Sequence, residues 1–536
     1  MTRYRRLPIS LGCALIASIA SLGVSAQTIR ANNAKRPSLV VGIVVDGLDI
    51  DRVYQLRDFF GSNGFNRLLN QGVTITDLEY GSHLDETAAT AVIYTGAAPA
   101  VNGIPSSEVF DVTSRRSVSV LNSPNTIGNF TDETYSPAAV RVSTLADELR
   151  IDTGGLGDVY ALSPEAEQAI IMAGHAGNNG SWINPNTGKW ASTTFYTELP
   201  TSIQQLNHLR PLSARLDTLQ WAPTLPPEAF SYLPSYKKIY SFRHTFPHSE
   251  PTRYEAFRHS APVNAELTSI SADYIKMLNL GKGEPTDMLN VNYTLQPYTY
   301  GRDADNRTEL IDSYLRLDRE LDRLFRAIDA SGPGMGNTMV FVAGTPINPE
   351  NQRDDEKWRV PTGDFSPVRA VSLLKVNLMS IYGNGDWVTG YHNGQFFLNR
   401  ELIRERGKDL DEFRRESADF LRRMSGVTRA ATIDEVISAP DTADSPFPPA
   451  RNIDIENAGD VFIAVAPGWC ITNNSQNTAP IVVRTAGSTS AAFILYPPVE
   501  AQTITTPVDA RAIAPTVARL LRIRAPNGSQ VPPIRF

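Results

Sequence analysis

The chain has 536 residues, 41% of them hydrophobic, with a formal net charge of −7, which suits a globular protein built as one large domain with insertions or as several ordinary ones. The acidic balance argues against nucleic acid or anionic lipid as the main partner, since both attract basic surfaces. Only two cysteines are present, Cys13 and Cys470, so a disulfide framework is excluded as the source of stability.

Arg3, Arg5 and Arg6 precede an apolar run from Leu7 to Val24, and Val24-Ser25-Ala26 is a small-residue site of the kind signal peptidase cuts. The sequence predicts a signal peptide over 1–26, export, and a linker over 27–37. Cys13 lies inside the apolar run and is poorly placed for a lipoprotein, and the run is short for a membrane span. Cleavage would leave Cys470 alone and bring the net charge to −10, because residues 1–26 hold three arginines and no acidic side chain.

From residue 38 onward, short β-branched runs alternate with helical patterns, which predicts an α/β fold: a doubly wound, mainly parallel sheet with helices on both faces. Strands are expected over 39–45, 158–162, 169–172, 288–292, 338–343, 461–466 and 492–496. The first ends on Asp46, a carboxylate at a strand's C-terminal tip. The clearest helix spans 309–330, where Leu310, Tyr314, Leu317, Leu321, Leu324 and Ile328 form one stripe, with Arg316, Asp318, Arg319, Glu320 and Asp322 outside it. Such a stripe is core rather than a cofactor box. Between about 190 and 282 prolines are interleaved with aromatic residues including Trp221, Tyr232, Tyr236 and Tyr240, the pattern of an inserted cap over the sheet. Residues 438–451 read as a surface loop. No internal repeat and no Walker-type phosphate loop is found.

Ordered pieces along the chain carry a resemblance. They are Val41-Gly42-Ile43-Val44-Val45-Asp46, Gly64-Phe65-Asn66-Arg67-Leu68-Leu69, Ile93-Tyr94-Thr95-Gly96 with Pro99 and Gly103-Ile104, Ala173-Gly174-His175, Tyr314-Leu315-Arg316-Leu317-Asp318, Leu398-Asn399-Arg400-Glu401-Leu402, Gly459-Asp460-Val461 with Pro467-Gly468-Trp469, and Ile513-Ala514-Pro515-Thr516 with Pro526-Asn527-Gly528-Ser529. Together they resemble the alkaline phosphatase superfamily, in particular the bacterial periplasmic phosphate-irrepressible alkaline phosphatases, close to the type I phosphodiesterase/nucleotide pyrophosphatase branch. The resemblance covers residues 38–534 as one alkaline phosphatase-like domain. It implies strand tips holding two zinc ions with a Thr or Ser nucleophile between them, an arrangement that needs several Asp and His ligands to stabilise both the attacking and the leaving oxygen.

Carried over position by position, the resemblance keeps few of these groups. Asp46 matches the first metal-binding Asp. The nucleophile position falls on Glu86, with Thr87 next to it, and the phosphate-holding Asn falls on Ser107. The Asp-x-x-x-His ligand pair falls on Pro297 and Gly301, the Asp-His pair after the long helix on Gly344 and Thr345, and the last His on Ser490. The phosphate-binding Lys and Arg fall on Glu165 and Glu167, placing carboxylates where a phosphate dianion needs cations.

The expected reading is therefore a catalytically inactive alkaline phosphatase-like protein, a pseudoenzyme. It would be exported to the periplasm and act as a binding or scaffold component with a protein partner in a cell-envelope complex. No cofactor is expected, and membrane association would come only through a partner or a retained N-terminal segment. The alternative is a divergent metal-dependent phosphoric ester hydrolase, with Thr87 as nucleophile and zinc or a single cation held by Asp46 and neighbours such as Asp85 and Glu86. A third reading is a ligand-binding module using the cap's aromatic residues over the vacated cleft.

Substitute sites look weak. His244 and His248 have ligand-like spacing, but Pro247 between them prevents a helix from presenting both on one face. His83 with Asp85 and Glu86 is the best small cluster and reads as a solvated loop, while His175 reads as structural. Asp303-Ala304-Asp305-Asn306 lacks the bidentate Glu of a calcium loop and reads as a turn leading into a helix. No Gly-x-Ser-x-Gly elbow supports a serine-hydrolase triad.

Overall fold

The computed structural model describes residues 36–81, 84–226, 241–301, 305–347, 363–442, 445–472, 481–483, 491–497 and 500–536. Strand β1 (Leu39–Asp46) is buried along its whole length. Its alternate residues divide between two cores: Leu39, Val41, Ile43 and Val45 join one, Val40 and Val44 the other. A strand covered on both faces reads as a continuous apolar run because neither side meets water.

The next elements in the chain are β2 (Val73–Glu79), α1 (Glu86–Thr95), β3 (Val159–Leu162), α2 (Ala166–Ala173) and β4 (Asn179–Ile183). After them come α3 (Pro262–Met277), β5 (Asp287–Thr294), α4 (Arg307–Ser331) and β6 (Thr338–Gly344). A smaller lobe follows, with α5 (Pro367–Tyr382), β7 (Val388–His392), β8 (Gln395–Leu398), β9 (Val427–Thr432) and β10 (Val461–Val465), before β11 (Ala491–Tyr496) returns to the main sheet.

The main sheet runs β2-β11-β6-β1-β5-β3-β4, with further short strands at both edges. β6, β1, β5, β3 and β4 are parallel, in register Val45↔Gly344 and Asp46↔Thr294 around β1. β11 is antiparallel to both β6 and β2. This is the expected doubly wound, mainly parallel sheet, with α3 and α4 packed in one core and α1 and α2 in the other. The parallel register brings the C-terminal ends of β1, β5 and β6 to one edge, where ligands of open α/β sheets gather.

Gly42 lies at the centre of β1. A Cβ there would come within 2.4 Å of Asn290 Oδ1 and 2.6 Å of both the Phe341 ring and the Tyr94 hydroxyl. Any other residue there must displace these side chains.

Several expectations are corrected. Residues 169–172 form part of α2, not a strand: the run Ala-Ile-Ile-Met is buried on every side, and an all-round apolar run has no period to separate strand from helix. The strand expected at 461–466 is present as β10 but belongs to the small sheet β7-β8-β10-β9, which has its own core around Trp387, Phe396 and Phe413.

In α4 the predicted stripe is buried as expected, but Asp318 and Glu320, placed outside it by sequence, are buried too. Asp318 accepts the backbone N–H groups of Gly61 and Phe65 at 2.8 Å each, and Glu320 pairs with Arg323. These partners make up for the lost hydration.

The segment expected as a cap starts with a sheet-edge strand, Trp190–Thr193, and ends in α3, a helix of the main layer. Between them, Gln220–Trp221 pairs with His244–Thr245, and the Trp221 indole N–H donates to Asp312 of α4 at 2.7 Å. Tyr232, Tyr236 and Tyr240 lie outside the described residues.

Candidate functional site

Asp46 sits at the tip of β1, 7% exposed, within hydrogen-bond reach of three other elements. From α2, Gln168 Nε2 donates to both carboxylate oxygens at 3.0 and 3.1 Å. Asn292 Nδ2 of β5 donates to Oδ2 at 3.1 Å, and Thr345 Oγ1, just beyond β6, to Oδ1 at 3.1 Å. The shell is itself held: Ser163 Oγ donates to Asn292 Oδ1 at 3.1 Å, and the Gly47 backbone N–H donates to Thr345 Oγ1 at 3.3 Å. Burial pushes the Asp46 carboxyl up to about 6, against the lowering effect of these three donors, with a small further rise from the Asp85 charge.

Asp85 precedes α1 and caps it. Its Oδ1 accepts Ala88 N–H at 2.8 Å, and its Oδ2 accepts Ser107 N–H at 2.6 Å. Ser107 therefore meets this carboxylate through its backbone N–H and also through its side chain. Glu86 opens the helix and accepts from Gln296 Nε2 at 2.7 Å, beside Pro297. Thr87 follows, 5% exposed. His83, the third member of the expected cluster, lies outside the described residues, as does Ser490.

Glu165 and Glu167 flank the start of α2. A buried cation from a distant segment reaches this position. Arg258, 6% exposed, pairs with Glu165, donates to Glu255 Oε2 at 2.8 Å and donates through Nε to the Pro164 carbonyl at 2.9 Å. Its guanidinium is thus engaged on several sides by this protein's own oxygens. Burial holds Arg258 down to about 10 and raises Glu167, which accepts Ser119 Oγ at 2.6 Å, to about 7.

These residues do not fit a pair of zinc ions. Pro297, Gly301 and Gly344 offer no side-chain ligand, and the Gly344 carbonyl accepts the Tyr80 hydroxyl at 2.6 Å. Asp46 faces amide nitrogens of Gln168 and Asn292, which are donors without a lone pair for a metal. Among the described residues, no group of three or more His, Cys, Asp or Glu side chains converges as a metal site.

The described histidines have ordinary partners. His175 bonds Asp147 at 2.9 Å and the Val140 carbonyl at 3.0 Å, His244 bonds Glu309 at 3.0 Å, and His248 bonds Arg253 at 2.9 Å. Asp303 and Ala304 lie outside the described residues, and Asn306 precedes the first turn of α4.

Sequence reasoning missed Gln168, Asn292 and Arg258. Asn290 and Asn292 did leave a trace: two asparagines on one face of a strand buried along its whole length, a pattern that asks for internal partners. Gln168 and Arg258 left none.

The comparisons with known proteins agree with this frame. Residues 40–490 match the family described as type I phosphodiesterase / nucleotide pyrophosphatase. Alkaline phosphatase PhoV of Synechococcus elongatus is 28% identical over 92% of both chains. Alkaline phosphatase PafA of Elizabethkingia meningoseptica is 26% identical over 94% of this chain and 95% of its own. A crystal structure of wild-type PafA superposes with a TM-score of 0.78 at 25% identity, over 94% of this chain and 99% of the other. With the sheet order, the strand-tip carboxylate and these matches in agreement, the chain belongs to the type I phosphodiesterase / nucleotide pyrophosphatase family, within the alkaline phosphatase superfamily.

Proposed function

We propose that this chain is a non-catalytic member of its family, exported to the periplasm and serving as a binding or scaffold component of a cell-envelope assembly. The observation that carries the reading is the closed network at Asp46. Donors from Gln168, Asn292 and Thr345 meet both of its oxygens, where a zinc ligand would direct a lone pair at the metal. The positions expected to supply the remaining ligands include a proline and two glycines. The fold's packing and capping are kept while the groups that hold dications and phosphate are not, the pattern expected when selection acts on a surface rather than on turnover.

A second reading is favoured by the relatives, since PhoV and PafA are both named alkaline phosphatases. In that reading Thr87 attacks phosphorus with one cation at Asp46. The deciding experiment measures zinc content and aryl phosphate hydrolysis on the purified exported chain, alongside a pull-down from its native envelope. Substoichiometric zinc, no turnover above blank and a stoichiometric companion protein are expected. Two bound zinc ions, with turnover abolished by Thr87→Ala in a folded variant, would overturn the proposal.

A further inference from the structure

Residues 511–536 differ from the rest of this acidic chain. They hold five arginines, Arg511, Arg519, Arg522, Arg524 and Arg535, and no aspartate or glutamate, in a chain whose formal net charge is −7. Helix α6 (Ile513–Leu521) turns its apolar side to the core it shares with α1 and α2, where Ile513, Val517 and Leu521 are buried. The segment behind it folds back along the helix. The Ile534 backbone N–H donates to Thr516 Oγ1 at 2.8 Å, and Arg519 Nη2 donates to the Ile534 carbonyl at 2.6 Å. That return brings the exposed Arg535 beside the exposed Arg519.

Two of the five charges are answered within the fold. Arg511 pairs with Asp509, and Arg524 donates to both oxygens of the buried Glu148 at 2.8 and 3.2 Å. Among the described residues, no carboxylate pairs with Arg519 or Arg535; the one hydrogen bond of the Arg519 guanidinium goes to the Ile534 carbonyl. The helix C-terminus accounts for Arg519, since a cation there meets the negative end of the dipole. It does not account for Arg535, which is set against that cation. Burial and then the Arg535 charge hold Arg519 below its usual value, with no carboxylate acting the other way. Like charges held side by side cost free energy until an anion joins them.

We propose that Arg519 and Arg535 form a docking point for an acidic segment of a partner protein, whose carboxylates join the two guanidinium groups. Planar carboxylates match the guanidinium fork and are held by paired, charge-assisted hydrogen bonds. A lipid surface fits less well. An extended anionic membrane would meet the negative charge of the whole chain, and none of the large apolar side chains that stand exposed belongs to residues 511–536, whereas peripheral membrane binding joins charge to buried apolar area. A short acidic segment meets the arginines alone. The proposal names a partner chemistry for the scaffold reading and rests on that reading for the existence of a partner.

The test is fluorescence anisotropy of labelled hexaglutamate titrated with the full exported chain at low and at physiological salt, alongside co-sedimentation with phosphatidylglycerol vesicles. Saturable peptide binding that weakens as salt rises is expected, with no vesicle binding. Affinity should fall roughly fivefold in the double variant Arg519→Gln/Arg535→Gln at an unchanged melting temperature. Arg535→Gln alone gives up no hydrogen bond of the fold, so it should show roughly a twofold loss even where the double variant melts early. Arg404→Gln/Arg406→Gln removes two exposed arginines from the small lobe and should bind the peptide as wild type does. No saturable binding, an equal loss in the Arg404/Arg406 variant, an unchanged affinity in both Arg535 variants, or vesicle binding as tight as peptide binding would overturn the proposal. Bound zinc with phosphate ester turnover would instead overturn the non-catalytic reading and leave the peptide results standing, so the two failures are distinguishable.

Discussion

Replacing Asp46 with Asn tests whether this carboxylate sits in a neutral hydrogen-bond network or in a site shaped to hold it ionised. The folded carboxyl titrates at about 6 against an ordinary 3.8. Between those values the folded chain binds more protons at this position than the unfolded chain does, so wild-type stability falls as pH rises through the window and levels off above it. The shift corresponds to about 3 kcal/mol. It belongs to the interacting pair, since the Asp85 charge adds to the rise at Asp46.

Urea unfolding of wild type and Asp46→Asn, followed from pH 4 to pH 8, should show wild type losing about 2.4 kcal/mol relative to the variant across that window, the rest of the loss lying below pH 4. Most of the loss should fall below pH 6.5. If Asp46 were instead held ionised by a cation, its folded pKa would lie below the unfolded one and the relative stability of wild type would rise with pH. A flat or rising difference refutes the reasoning.

Arg258→Met should lower stability by about 1–2 kcal/mol, because the Pro164 carbonyl loses its donor while Glu165 and Glu255, 31% and 34% exposed, lose a partner but can be hydrated. A urea midpoint unchanged from wild type would show that the pair contributes no more than a surface contact. Gly42→Ala should lower the melting temperature through an overpacking cost of about 1–3 kcal/mol, since the new methyl meets Asn290, Phe341 and Tyr94 and disturbs the Tyr94–Asn290 hydrogen bond of 2.9 Å. An unchanged melting curve would mean that the central strands yield more easily than their packing indicates.

The elements legible in the sequence are those whose signal is local and periodic. β1 announced itself as an unbroken β-branched run ending on Asp46, and α4 as a stripe at helical spacing, because burial on two faces and on one face leave different periods. α2 was misread because a segment buried all round has no period at all. Asp318 and Glu320 were placed outside the stripe, and the structure buries them because Gly61 and Phe65 arrive from elsewhere to satisfy Asp318 while Arg323, one turn on in the same helix, pairs with Glu320.

The candidate site divides in the same way. That Pro297, Gly301 and Gly344 cannot ligate a metal follows from residue chemistry alone, as does the placement of a carboxylate at the end of β1. What surrounds that carboxylate was decided by tertiary structure: Gln168, Asn292 and Thr345 stand 122, 246 and 299 positions away in the chain, and Arg258 crosses 93 positions to reach Glu165. The chain's own order states which atoms are available, whereas pairing over such separations depends on how the sheet and its helices close. The net charge of a buried pocket therefore becomes readable only once the fold has brought its members together.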